Sequence, residues 1–125
     1  MGKLKDTLEK IAVDYSLSEN KEEKRKQNKR VFTLLRRVYH NKPKKVVKGI
    51  KYYRTARKQS DIVKVNLVNF VDTYNELTKE NNIAKAANCE KKALDFIKSI
   101  FYNNKDAIAK LTHYYLELKH PQAGY

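Results

Sequence analysis

Only three glycines and two prolines punctuate this 125-residue chain, and both prolines, Pro43 and Pro121, lie where helices would stop. Turn formers this sparse leave little room for hairpins or long irregular loops, and they predict a helical protein with short connections. Apolar residues recur at three- and four-residue steps, with no alternation strong enough to argue for a sheet. Leu4, Leu8, Ile11 and Tyr15 mark a short amphipathic helix over about 3–17.

From Ser18 to Arg30 there are thirteen polar residues and no apolar one. Propensity favours helix there, yet a helix polar on every face has nothing to pack against. The stretch is therefore expected to be disordered alone or ordered by a partner. Periodicity returns with Val31, Leu34, Leu35 and Val38, and Pro43 ends that helix near Asn41. A helix from Ser18 to His40 would be about 33 Å long, close to one turn of a duplex, with bases around its whole circumference.

A second basic helix is expected from Lys44 to Lys58, with Val46, Ile50 and Tyr53 on one narrow face. Ser60 or Asp61 can cap the next helix, whose Ile62, Val65, Leu67, Val68, Phe70, Val71, Tyr74 and Leu77 make a broad apolar face suited to the middle of a bundle. Asn81-Asn82 reads as a turn. Ala84, Ala87, Leu94, Ile97, Ile100 and Phe101 mark a further helix, Asn103-Asn104 the next break, and Ile108, Leu111, Tyr115 and Leu118 the last helix. The expected fold is all-α: a basic helical N-terminal arm over 1–43, then a C-terminal four-helix bundle over 44–125.

Charge is segregated along this framework. Between Glu23 and Asp61 lie fifteen Lys and Arg residues and no Asp or Glu: Lys24, Arg25, Lys26, Lys29, Arg30, Arg36, Arg37, Lys42, Lys44, Lys45, Lys48, Lys51, Arg54, Arg57 and Lys58. The other thirteen bases meet fourteen acids, so the formal charge of +14 sits in this one segment. So many like charges repel unless a polyanion faces them. All of these bases except Arg57 are candidate nucleic-acid contacts, because Lys and Arg neutralise phosphates and release condensed counterions without reading sequence. Tyr52 joins them as a residue able to bond a phosphate or stack on a base. Tyr39 has the same chemistry, but core packing competes for it, and Tyr53 lies on the apolar stripe.

Other chemistries lack their residues. No phosphate-cradling glycine loop is present, and the single Cys89 allows neither an internal disulfide nor a Cys-based zinc site. His113, Glu117 and His120 share a helical face at i, i+4, i+7, but no zincin motif surrounds them and a surface coincidence is the better reading. No enzyme activity and no cofactor are expected. No apolar run exceeds three residues, so neither a membrane span nor a signal-peptide core is expected. Leu4, Leu8, Ile11 and Tyr15 give the first helix some amphipathic character, but Asp6, Glu9 and Asp14 dilute its charge, so membrane contact is unsupported.

In size, basic helical N-terminal region and helical remainder, the chain resembles the major coat proteins of filamentous and rod-shaped viruses of archaea. Gly49-Ile50-Lys51-Tyr52-Tyr53 is similar to an aromatic, Gly-led segment of the rod-shaped members, and Ala123-Gly124-Tyr125 is similar to their Gly-Tyr near the C-terminus. The resemblance implies a capsid protein of the virion, present in the host cytoplasm before assembly. It would wrap double-stranded DNA without sequence specificity and associate with itself or with a related second coat protein. RNA is a second candidate ligand, and the alternative is a small DNA- or RNA-binding regulator of a virus or mobile element.

Overall fold

A computed structural model describes residues 2–119 as five helices: α1 (Gly2–Leu17), α2 (Lys21–Val38), α3 (Pro43–Lys79), α4 (Ile83–Ile100) and α5 (Lys105–Lys119). The described residues contain no strand, in agreement with the all-α expectation.

Asparagine does at the junctions what glycine does in most helical proteins. Asn20 caps α2, its side chain accepting from the Glu23 amide at 2.9 Å. Asn41 and Asn81 hold φ near 63° and 60°, the left-handed region that Asn tolerates better than other side-chain-bearing residues. At the end of α3 the Asn82 amide donates to the Leu77 carbonyl at 2.9 Å and the Asn81 amide to Thr78 at 3.1 Å, the paired bonds of a Schellman motif. Asn82 then caps α4 through Lys85, and the buried Asn104 caps α5 through the Ala107 amide at 3.1 Å.

The polar stretch 18–30 is helical, as propensity favours: α2 takes up all of it from Lys21. The Asn20 cap and helix propagation from Val31 and Leu35 extend α2 through residues that could not anchor it themselves. One expectation is corrected: the break expected at 58–61 is missing, for α3 runs unbroken through 37 residues. No Gly or Pro lies between Ile50 and Lys79, and Ser60 is fully buried on the helix stripe instead of serving as a cap. Residues 44–119 therefore hold three helices, not four.

The chain divides into two compact units, up to Asp61 and from Ile62 onward. In the first unit α1 and α2 share their core with the first half of α3: Leu8, Ile11, Ala12, Val31, Leu35, Tyr53 and Ala56 form one buried cluster. Helix α2 lies close to α3 at Gly49, where a Cβ would meet the Leu35 Cδ2 at 2.5 Å.

In the second unit Val63, Leu67 and Val71 of α3 are buried, as are Cys89, Ala93 and Ile97 of α4 and Leu111 and Tyr115 of α5. Phe70 and Phe96 pack with ring centroids 6.2 Å apart. This is a narrower stripe than the sequence suggested. Ile62 is 54%, Val65 63% and Val68 40% exposed, and Ala84 and Ala87 also face solvent. A three-helix unit covers one side of each helix, so the outer half of the broad face expected on α3 stays uncovered.

Candidate nucleic-acid interface

The first unit holds nineteen Lys and Arg against seven Asp and Glu, a net +12, whereas residues 62–125 hold nine against seven. Even if every acid of the first unit paired with one base, twelve bases would have no internal counter-charge.

Packing sorts these bases. On α2, Lys24 and Asn28 are half-buried on the side of Val31 and Leu35, and Arg25, Lys26, Lys29, Arg30, Arg36 and Arg37 are exposed on the remaining arc. The bases of α2 thus occupy an outer face, not the whole circumference. On the first half of α3, Lys44, Lys45, Lys48, Lys51, Arg54 and Lys58 are exposed opposite Tyr53 and Ala56, and Lys42 is exposed in the turn before it. Thirteen of the fourteen candidate bases are therefore open to solvent.

Lys24 is the exception. Its Nζ donates to the Tyr15 carbonyl at 3.1 Å and lies 4.6 Å from the Tyr15 ring centroid. A cation there meets the negative end of the α1 dipole. Arg57 also turns inward, its guanidinium 3.7 Å from the Tyr15 ring centroid and 5.6 Å from that of Tyr53. Among the outward bases, Lys26 reaches Glu23 at 3.6 Å in an exposed pair, and Arg30 reaches the largely buried Asp14 at 3.4 Å. A pair exposed on both sides, such as Lys26–Glu23, holds weakly and can exchange for phosphate.

Lys26, Lys29, Arg30 and Arg37 border an open cleft of about 510 Å³ between α1 and α2, with Thr7 and Thr33 hydroxyls beside them and Ile11 and Leu34 in its wall. These four bases recur at helical steps, forming a charged ridge along one edge of the cleft. Such a ridge suits a backbone of repeated phosphates better than a single compact anion.

Tyr52 is half-buried and its hydroxyl donates to the Glu9 carboxylate. Burial, then that bond, pushes the hydroxyl well above the ordinary tyrosine range. Its hydroxyl is thus committed, and its ring packs against the core cluster with Lys5 Nζ 5.5 Å from the ring centroid. The roles of Lys24 and Arg57 were missed by sequence reasoning, and the only signal was their position on the stripes of Val31 and Tyr53.

Elsewhere, His113 and Glu117 form an exposed pair at 2.9 Å, and His120 lies outside the described residues, as does the Ala123-Gly124-Tyr125 fragment. No group of three metal-ligating side chains occurs among the described residues, and none of their helices is long and apolar enough to cross a membrane. No family model, no curated protein and no solved structure matches this chain.

Proposed function

We propose that this chain is a non-enzymatic structural protein that binds nucleic acid through charge and without sequence specificity, as a capsid protein sheathing double-stranded DNA in a filamentous virion. The observation that carries the reading is the +12 unit whose bases spread over the outer faces of two consecutive helices. A recognition helix needs a basic end that enters one groove. A basic surface continued over two helices suits tracking along a polyanion, and the resemblance to archaeal filamentous-virus coat proteins supplies the virion.

In this reading the exposed Ile62, Val65 and Val68 are covered by another copy or by a related coat protein. The finer arrangement, an arm that leaves a four-helix bundle to embrace DNA, requires α1 and α2 to quit the core they share with α3. Uncovering Leu8, Ile11, Val31 and Leu35 costs on the order of 6–12 kcal/mol. The closed unit is then the form of the free protein, and the arm is a form that bound DNA must favour.

Negative-stain electron microscopy of the protein with linear double-stranded DNA, at low and high salt, tests the proposal. Regular filaments whose length follows the DNA are expected at low salt. Discrete particles of fixed stoichiometry separated by free duplex would sink the sheath and leave the regulator.

A further inference from the structure

A second cleft, of about 360 Å³, lies between α1 and the start of α3 beside the α2–α3 turn. Its lining differs from that of the charged ridge. Leu4 and Leu8 give it an apolar wall, Tyr39 and Tyr52 supply two half-buried rings, and Lys45 and Lys48 stand exposed at its border. Lys5 belongs to the same cleft, its Nζ 5.5 Å from the Tyr52 ring centroid, and the Lys45 Nζ lies 5.6 Å from that of Tyr39.

Each component points to a particular part of a ligand. The rings offer π-faces, and the bond from the Tyr52 hydroxyl to Glu9 fixes the orientation of one of them. The lysines offer mobile cations beside those faces. A bare phosphate has no use for the aromatic and leucine lining, and an acyl chain has no use for the three ammonium groups. A stacked duplex keeps its bases inside and presents only its backbone. An unpaired nucleotide alone in this series has a flat apolar body with phosphates on either side of it.

We infer that this cleft accepts one unpaired nucleobase of a single strand, stacked against Tyr39 or Tyr52, with the adjoining phosphates held by Lys5, Lys45 and Lys48. The inference rests on the polyanion reading and adds to it a base-dependent mode, separate from the sequence-blind ridge on α2. Stacking tolerates any base, so the mode discriminates strandedness and not sequence. The ammonium groups now over the two rings are exposed and give way to the base as they turn toward phosphate.

Fluorescence anisotropy of the full chain against three labelled ligands of equal length tests it: an oligothymidylate, an abasic strand of the same charge, and a duplex. The wild type is expected to bind the oligothymidylate about tenfold more tightly than the abasic strand, the size of one base–aromatic stack. Tyr39→Leu combined with Tyr52→Leu should erase that difference, bringing oligothymidylate affinity down to that of the abasic strand. Tyr52→Phe keeps the ring and should keep the difference. Equal wild-type affinity for the oligothymidylate and the abasic strand overturns the base site while leaving the polyanion reading intact. Binding to none of the three ligands overturns both.

Discussion

The Tyr53 hydroxyl reaches from α3 to α2 and donates to Asn28 Oδ1 at 2.8 Å. This bond ties the polar first half of α2 to the buried core, since Tyr53 is only 3% exposed and Asn28 stands in a stretch without apolar residues. Asn28→Leu leaves the hydroxyl buried without its acceptor and should cost about 1–3 kcal/mol in denaturant unfolding. Pairing it with Tyr53→Phe should recover most of that loss. A double variant no more stable than Asn28→Leu alone would show that the bond contributes nothing.

The same hydroxyl gives the fold an alkaline limit. Burial pushes Tyr53 up to about 12, with the Arg57 guanidinium opposing part of the rise. Between about 10, the ordinary tyrosine value, and 12, the unfolded chain has released this proton while the folded chain still holds it. The stabilisation is complete below the lower value and is lost as pH rises through the upper one. Tyr53→Phe should therefore flatten the fall in stability over this window relative to wild type. Parallel pH profiles for the two proteins would exclude a contribution from this group.

Gly49 is a packing residue. Its missing Cβ leaves room for Leu35, which is fully buried and has nowhere to withdraw. Gly49→Ala gains up to about 1 kcal/mol in helix propensity and loses about 1–3 kcal/mol to overpacking. A net loss of stability is expected from thermal unfolding. Combining it with Leu35→Ala should give a smaller loss than the two single effects added, because the clash is relieved.

Asn81 holds φ near 60°. Asn81→Ala should cost about 1 kcal/mol and Asn81→Gly close to nothing, since only the former pays for a Cβ in the left-handed region. Unfolding of the two variants measures the difference directly, and equal stabilities would remove the conformational argument.

Inward and outward bases should separate by assay. Lys29→Gln and Arg37→Gln should leave the melting temperature near wild type and lower duplex affinity equally for unrelated sequences, each reducing the salt slope by about one. Lys24→Gln should instead loosen the α1–α2 junction, at about 0.5–1 kcal/mol. Arg57 carries a buried Nε without a hydrogen-bond partner among the described residues. Arg57→Met keeps the stem against Tyr15 and removes that donor, so it should cost less than Arg57→Ala.

These contrasts show what the sequence made legible. Apolar stripes at helical spacing, with Asn41, Asn81-Asn82 and Asn103-Asn104 marking breaks, sufficed for the helices and most of their ends. The course of α3 through Ser60 and Asp61 was hidden, because cap-capable residues also sit in helix interiors when tertiary burial favours it. The exposed bases of the candidate interface were readable from the absence of acids. Lys24 and Arg57 were not, since the charge of a side chain says nothing about which ring it covers. The exposure of Ile62, Val65 and Val68 was hidden as well: an apolar face announces that it needs cover without saying how many helices supply it.

Asn82 completes the Schellman bonds of α3 and caps α4 with its own side chain. One residue closing one helix and opening the next leaves no slack between them. Removing or inserting a residue here would turn α4 by about 100° about its axis and carry Cys89, Ala93 and Ile97 off the face they share. The rotational phase of α4 in the second unit is thus set by backbone geometry at two asparagines, and the core side chains only ratify a setting made at the corner.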